Sequence, residues 1–130
     1  MKYKYPYLKF RNQFYPLVPL KICSGKRYVN TFALVDSGAS ICLFKPEIAN
    51  HLGIEVEEGE EILLEGISGK ISIYLHKVTI QIGIDKFDAT VGFSEEYTAS
   101  FNLIGRKDFF DRFIISFNEK NKKLELLNVK

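Results

Sequence analysis

The chain has 130 residues, a length that suits one compact domain, read here as 1–130, better than two. Its 46% hydrophobic and 26% charged residues form an ordinary globular balance that argues against disorder. A formal net charge of +2, with bases interleaved among acids as in "NEKNKKLELL", argues against a nucleic-acid or membrane surface. No apolar run is long enough to cross a bilayer, and "MKYKYPYLKF" has no apolar core of the secretory kind. The expectation is a soluble, cytoplasmic protein.

Strand signals dominate in chain order. "QFYPLVPLKI", residues 13–22, alternates bulky side chains but carries Pro16 and Pro19, which predicts an edge strand. "SGK" then turns the chain into "RYVNTFALVD", a strand ending at Asp36, and the two read as a hairpin. "KPEIANHLGI" has the marks of one short helix: Pro46 in the first turn, Glu47 complementing the dipole, and Gly53 at the stop. "EEILLEG" and "KISIYLHKVTIQIGI" read as a hairpin whose tip is Gly66-Ile67-Ser68-Gly69. "DKFDATVGF" returns after a turn near Gly83, and a polar loop covers 94–100.

"FNLIG" is a short apolar strand, and Phe109, Phe110 and Phe113 recur at helical spacing, predicting a helix over 106–113. A last hairpin turns in the Asn118–Asn121 cluster. Many short strands with one or two short helices make a mainly β, closed-barrel-like domain. Cys23 and Cys42 lie in apolar surroundings without a C-x-x-C spacing and read as reduced thiols, with a Cys23–Cys42 disulfide as the alternative. His51 and His76 stand apart from other metal-ligand types and read as surface or helix-end residues, so no metal or other cofactor is expected.

One stretch asks for chemistry. In "TFALVDSGAS" an apolar strand delivers Asp36 into a sharp turn with Ser37 and Gly38. A buried carboxylate is costly unless paired or hydrogen-bonded. An ordinary turn whose Asp caps local amides accounts for the tripeptide taken alone. Peptide hydrolysis supplies another reason: two Asp side chains sharing one proton, one activating water and the other polarising the carbonyl. No second Asp-Ser/Thr-Gly exists, because Asp85, Asp88, Asp108 and Asp111 precede Lys, Ala, Phe and Arg. The missing partner is then a second copy across a two-fold axis.

"ALVDSGAS" at 33–40, the glycine-bearing hairpin "LLEGISGKISIY" at 63–74 and "NLIGRKDF" at 102–109 occur in that order. In this set the chain resembles the retropepsin-like aspartic proteases, from about Phe14 onward. The resemblance implies a retropepsin (acid protease) fold with a flap hairpin, acting as a homodimeric aspartic endopeptidase on extended peptides or unfolded segments. It implies that Asp36 is catalytic and that Ser37, Gly38 and Gly105 support the active-site loops. It also implies that Gly38, Ala39, Gly66, Ile67, Ser68, Gly69 and Leu103 contact substrate. Retroviral members often carry an acid where this chain has Ser40, pairing it with the Arg that here is Arg106. The rival expectation is a catalytically inactive peptide-binding or dimerisation module on the same fold.

Overall fold

The structure is a computed structural model that describes residues 2–66 and 69–129. Strands account for most of it: β1 (Lys2–Pro6), β2 (Leu8–Phe10), β3 (Gln13–Tyr15), β4 (Leu17–Ser24), β5 (Arg27–Val35) and β6 (Cys42–Phe44) precede the helix α1 (Pro46–Leu52). A 3₁₀ turn at Val56–Glu58 leads into β7 (Glu60–Gly66), β8 (Gly69–Ile82), β9 (Asp85–Phe93) and β10 (Asn102–Ile104). β11 (Phe113–Asn118) and β12 (Lys123–Asn128) close the chain as a hairpin.

Seven strands form the main sheet in the order β4-β5-β10-β6-β9-β8-β7, and a further β4–β8 pairing closes six of them into a ring. That pairing amends the edge-strand expectation for 13–22. β4 runs beside β5 throughout, and it gains β8 as a second neighbour only at Lys21–Cys23, beyond Pro19. Proline, which has no N–H to donate, thus sits on the stretch with a single neighbour. β5 shows the period of a half-buried strand: Ala33 and Val35 are buried, while Phe32 and Leu34 are more exposed. The ring encloses Val18, Ile22, Phe44, Ile80, Val91, Phe93 and Ile104.

The helix forms as its residues predict. Pro46 occupies the first turn, Gly53 caps the end at φ 71°, and Ile48, Ala49 and Leu52 face the core. Residues 106–113 correct the helix expectation. Lys107 is extended (ψ 129°) and Asp108 is left-handed (φ 71°), so Arg106–Phe110 is an irregular turn. Its amides serve other partners: Arg106 N–H donates to the Ala39 carbonyl at 2.9 Å and Lys107 N–H to the Ser40 carbonyl at 3.0 Å. The Asp108 carboxylate accepts the Thr90 N–H at 2.8 Å. The phenylalanine spacing reflects burial, since Phe109 and Phe113 are in the core, but not a helix.

The N-terminus, for which no strand was expected, pairs as β1 with β12 in a separate three-stranded sheet with β11. Tyr3 and Tyr5 pack from β1 against the core, which explains the Lys/Tyr alternation. Both cysteines are free thiols, Cys42 buried and Cys23 half-buried. Burial pushes the Cys42 thiol up to about 11. His51 is exposed in the last turn of α1. His76 is half-buried in β8 with its ring bonded to the Val56 carbonyl at 2.8 Å, so it is not the surface residue expected. Among the described residues, no helix is long and apolar enough to cross a membrane.

Candidate active site

β10 is the element that organises the site. It lies between β5, in parallel register (Leu103 opposite Leu34), and β6, antiparallel (Leu103 opposite Leu43). Asn102 fastens it there. Its carboxamide is almost fully buried, donates to the Phe32 carbonyl at 3.0 Å and the Thr31 hydroxyl at 3.2 Å, and accepts the Lys45 N–H at 2.8 Å. One side chain therefore ties β10 to β5 and to the start of α1.

Asp36 leaves the end of β5 with its own N–H bonded to the Ile104 carbonyl at 3.0 Å. Strand alternation sends Val35 inward and Asp36 to the opposite side. The carboxylate is half-buried and accepts the Gly38 N–H at 2.9 Å, while Ala39 N–H returns to the Asp36 carbonyl at 3.2 Å. The turn is thus built around the carboxylate, and a side chain at Gly38 would crowd it at 3.2 Å. Ser37 is exposed beside it.

Gly105 lets the two loops meet. A Cβ there would fall 2.4 Å from the Ile41 carbonyl oxygen and 2.6 Å from that of Ala39, closer than atoms approach. Only a residue without Cβ allows Arg106 and Lys107 to bond the 39–40 backbone. The Arg106 side chain is exposed and forms no ion pair among the described residues, consistent with Ser40 in place of an acid.

A cleft of about 580 Å³ opens over this turn. Asp36, Gly38, Ala39, Ser40 and Ile41 form one side, with Leu43 and Leu103 from β6 and β10. The β7–β8 hairpin contributes Leu64, Glu65, Gly66, Gly69 and Ile71, and the loop after β9 contributes Glu96, Tyr97, Thr98 and Ala99. Asp36, Gly38, Ala39, Gly66, Gly69 and Leu103, singled out from the sequence, share this one cavity. Gly105 lies behind it as a packing residue, and Ile67 and Ser68 lie outside the described residues.

Five contributors escaped the sequence reading. Tyr97 sits in what read only as a polar loop, and its hydroxyl donates to the Phe101 carbonyl. Burial, reinforced by the Asp36 charge, pushes that phenol up to about 12, so it stays protonated and donating. Glu96, from the same loop, reaches the hairpin with its carboxylate. Leu64 and Ile71, opposite each other in the hairpin, supply apolar wall. Asn102, of the β10 anchor, carried a usable signal: an amide inside an apolar strand needs partners.

Comparisons with known proteins bear on the family and the fold. The family model described as aspartyl protease matches residues 18–92, and the chain belongs to that family. No curated protein matches it. Among solved structures it is similar to EIAV protease complexed with the inhibitor HBY-793, at a TM-score of 0.57 and 16% identity. That match covers 76% of this chain and 88% of the EIAV protease chain. The fold is accordingly mainly β and retropepsin-like.

Proposed function

We propose that the chain is an aspartic endopeptidase whose catalytic dyad is assembled from Asp36 of two copies. The observation that carries this is the position of Asp36. It is the one aspartate lining a cleft walled by apolar side chains and overhung by a hairpin. A lone carboxylate lacks the shared proton on which hydrolysis by an aspartate dyad depends, and a symmetric contact places identical residues opposite each other on the axis.

In the dimer the two carboxyl groups hold one proton between them, since like charges about 3 Å apart do not both ionise easily. The ionised member takes a proton from water as its oxygen adds to the scissile carbonyl carbon. The protonated member donates a hydrogen bond to the carbonyl oxygen and stabilises the charge forming there. The C–N bond then breaks, and the leaving amine receives a proton from the dyad.

Extended backbone suits the cleft. Gly38, Gly66 and Gly69 leave room for a peptide main chain, and Ile41, Leu43, Leu64, Ile71 and Leu103 offer apolar contact to its side chains. The substrates are extended or unfolded polypeptides with apolar residues flanking the cut, and the β7–β8 hairpin is the flap that covers them. Incubating a diverse peptide library with the native chain and with Asp36→Asn, read by mass spectrometry, tests the proposal. Cleavage that falls about 10²–10⁴-fold in the variant, with fold and dimer retained, supports it. A folded native dimer that cuts nothing across acidic to neutral pH favours a binding module, and equal cleavage by both chains refutes the role of Asp36.

A further inference from the structure

The flap hairpin outruns the sheet that supports it. β9 ends at Phe93, paired with Tyr74 of β8, while β8 and β7 continue together to Gly69 and Gly66. Amides two residues apart on a strand project from the same edge. The edge of β8 that Tyr74 shares with β9 therefore reaches Ser72 with no strand left to pair with it.

Glu96 fills that place. The loop after β9 turns back, with Glu96 N–H bonded to the Ser94 hydroxyl at 3.0 Å and Tyr97 N–H to the Ser94 carbonyl at 3.2 Å. The Glu96 carboxylate then accepts the Ser72 N–H at 2.7 Å, short for an N–H···O bond and charge-assisted. Among the described residues it is the one hydrogen bond joining residues 62–73 of the hairpin to the loop across the cleft. Glu61 also bonds Ser72, through its hydroxyl at 2.8 Å, but Glu61 belongs to β7 and so ties the hairpin only to itself.

We propose that Glu96 is a positioning residue that latches the flap hairpin over the cleft by standing in for the missing strand at Ser72. The latch holds the hairpin in place beside the cleft before substrate arrives, so less ordering is left for substrate to drive. It rests on the protease reading for its purpose, but its physical content does not.

The experiment is therefore run without turnover first. Backbone amide exchange and ¹⁵N relaxation of residues 62–73 are measured for the native chain, Glu96→Ala, Glu96→Gln and Glu61→Ala. In Glu96→Ala the Ser72 amide exchanges at least about tenfold faster and residues 62–73 gain motion as a unit. Glu96→Gln, which keeps a neutral acceptor, restores much of the native behaviour, and Glu61→Ala leaves the Ser72 amide protected. In peptide cleavage Glu96→Ala raises KM several-fold while kcat stays within about twofold. Unchanged motion of 62–73 in Glu96→Ala overturns the latch whatever the chain cleaves. Released motion in a chain that cleaves nothing upholds the latch and overturns the protease reading.

Discussion

Gly105→Ala is the sharpest test of how the two loops of the candidate site are held. The Gly105 backbone, at φ −106° and ψ −166°, is open to any residue, so the variant carries no dihedral strain. The penalty is steric and falls on backbone. The new Cβ would meet the carbonyl oxygens of Ile41 and Ala39 at 2.4 and 2.6 Å, and neither belongs to a flexible side chain that swings away. Relief requires the loops to part, which stretches the Arg106–Ala39 and Lys107–Ser40 bonds. Overpacking of this kind costs about 1–3 kcal/mol, and weakening two hydrogen bonds adds up to about 1 kcal/mol each. A destabilisation near 3 kcal/mol lowers Tm by roughly 10 °C in a domain of this size. Gly66→Ala is the control: nothing lies within 4 Å of its Cβ position and its φ is not left-handed, so stability stays within about 0.5 kcal/mol. Thermal unfolding followed by circular dichroism measures both. A Gly105→Ala Tm within about 2 °C of native would refute the close-approach argument.

Other outcomes follow from the same structure. Asn102→Ala strips β10 of three side-chain hydrogen bonds and leaves the Lys45 N–H without its acceptor; urea unfolding should show a loss of about 2–4 kcal/mol, and less than 1 would contradict the anchor. Tyr97 holds its proton more tightly folded than unfolded, so its contribution to stability is full below pH 10 and is lost as pH rises from 10 toward 12. Spectrophotometric titration should show a tyrosine ionising near 12 that is missing from Tyr97→Phe. Alkylation at neutral pH should modify Cys23 while the chain is folded and Cys42 only after unfolding, because Cys42 is buried and its thiol is held protonated.

Much of the fold was legible because local chemistry and tertiary context agree. At 46–53, proline, acid and glycine stand where a short helix wants them, and the helix forms there. At 24–27 a glycine at φ 59° lets β4 turn into β5. Residues 106–113 show the opposite case. Three phenylalanines at helical spacing record only that the segment faces a core, while extended Lys107 and left-handed Asp108, whose carboxylate holds the Thr90 N–H, interrupt the helix in its first turn. No local pattern announces that distant tie. β1 carried a usable signal in its Lys/Tyr alternation, but its partner β12 lies at the far end of the chain, where no local pattern points to it.

The candidate site divides the same way. Asp36, Gly38 and Gly105 stand in short motifs because the turn and the loop contact demand particular residues at adjoining positions. Glu96 and Tyr97 follow no such spacing. They reach the cleft because the loop after β9 folds back at Ser94, a buried residue whose carbonyl and hydroxyl both hold that turn. Their roles become visible only when β8 is seen to outlast β9.

The central claim is a dyad shared between copies, and mixing subunits tests it most directly. Native chain and Asp36→Asn are unfolded together, refolded at a series of ratios with total chain constant, and assayed on one cleaved peptide. A shared dyad predicts activity that falls with the square of the native fraction, to about one quarter at equal proportions. Activity proportional to the native fraction, about one half at that point, would mean that each chain works with its own Asp36 alone and would contradict the account.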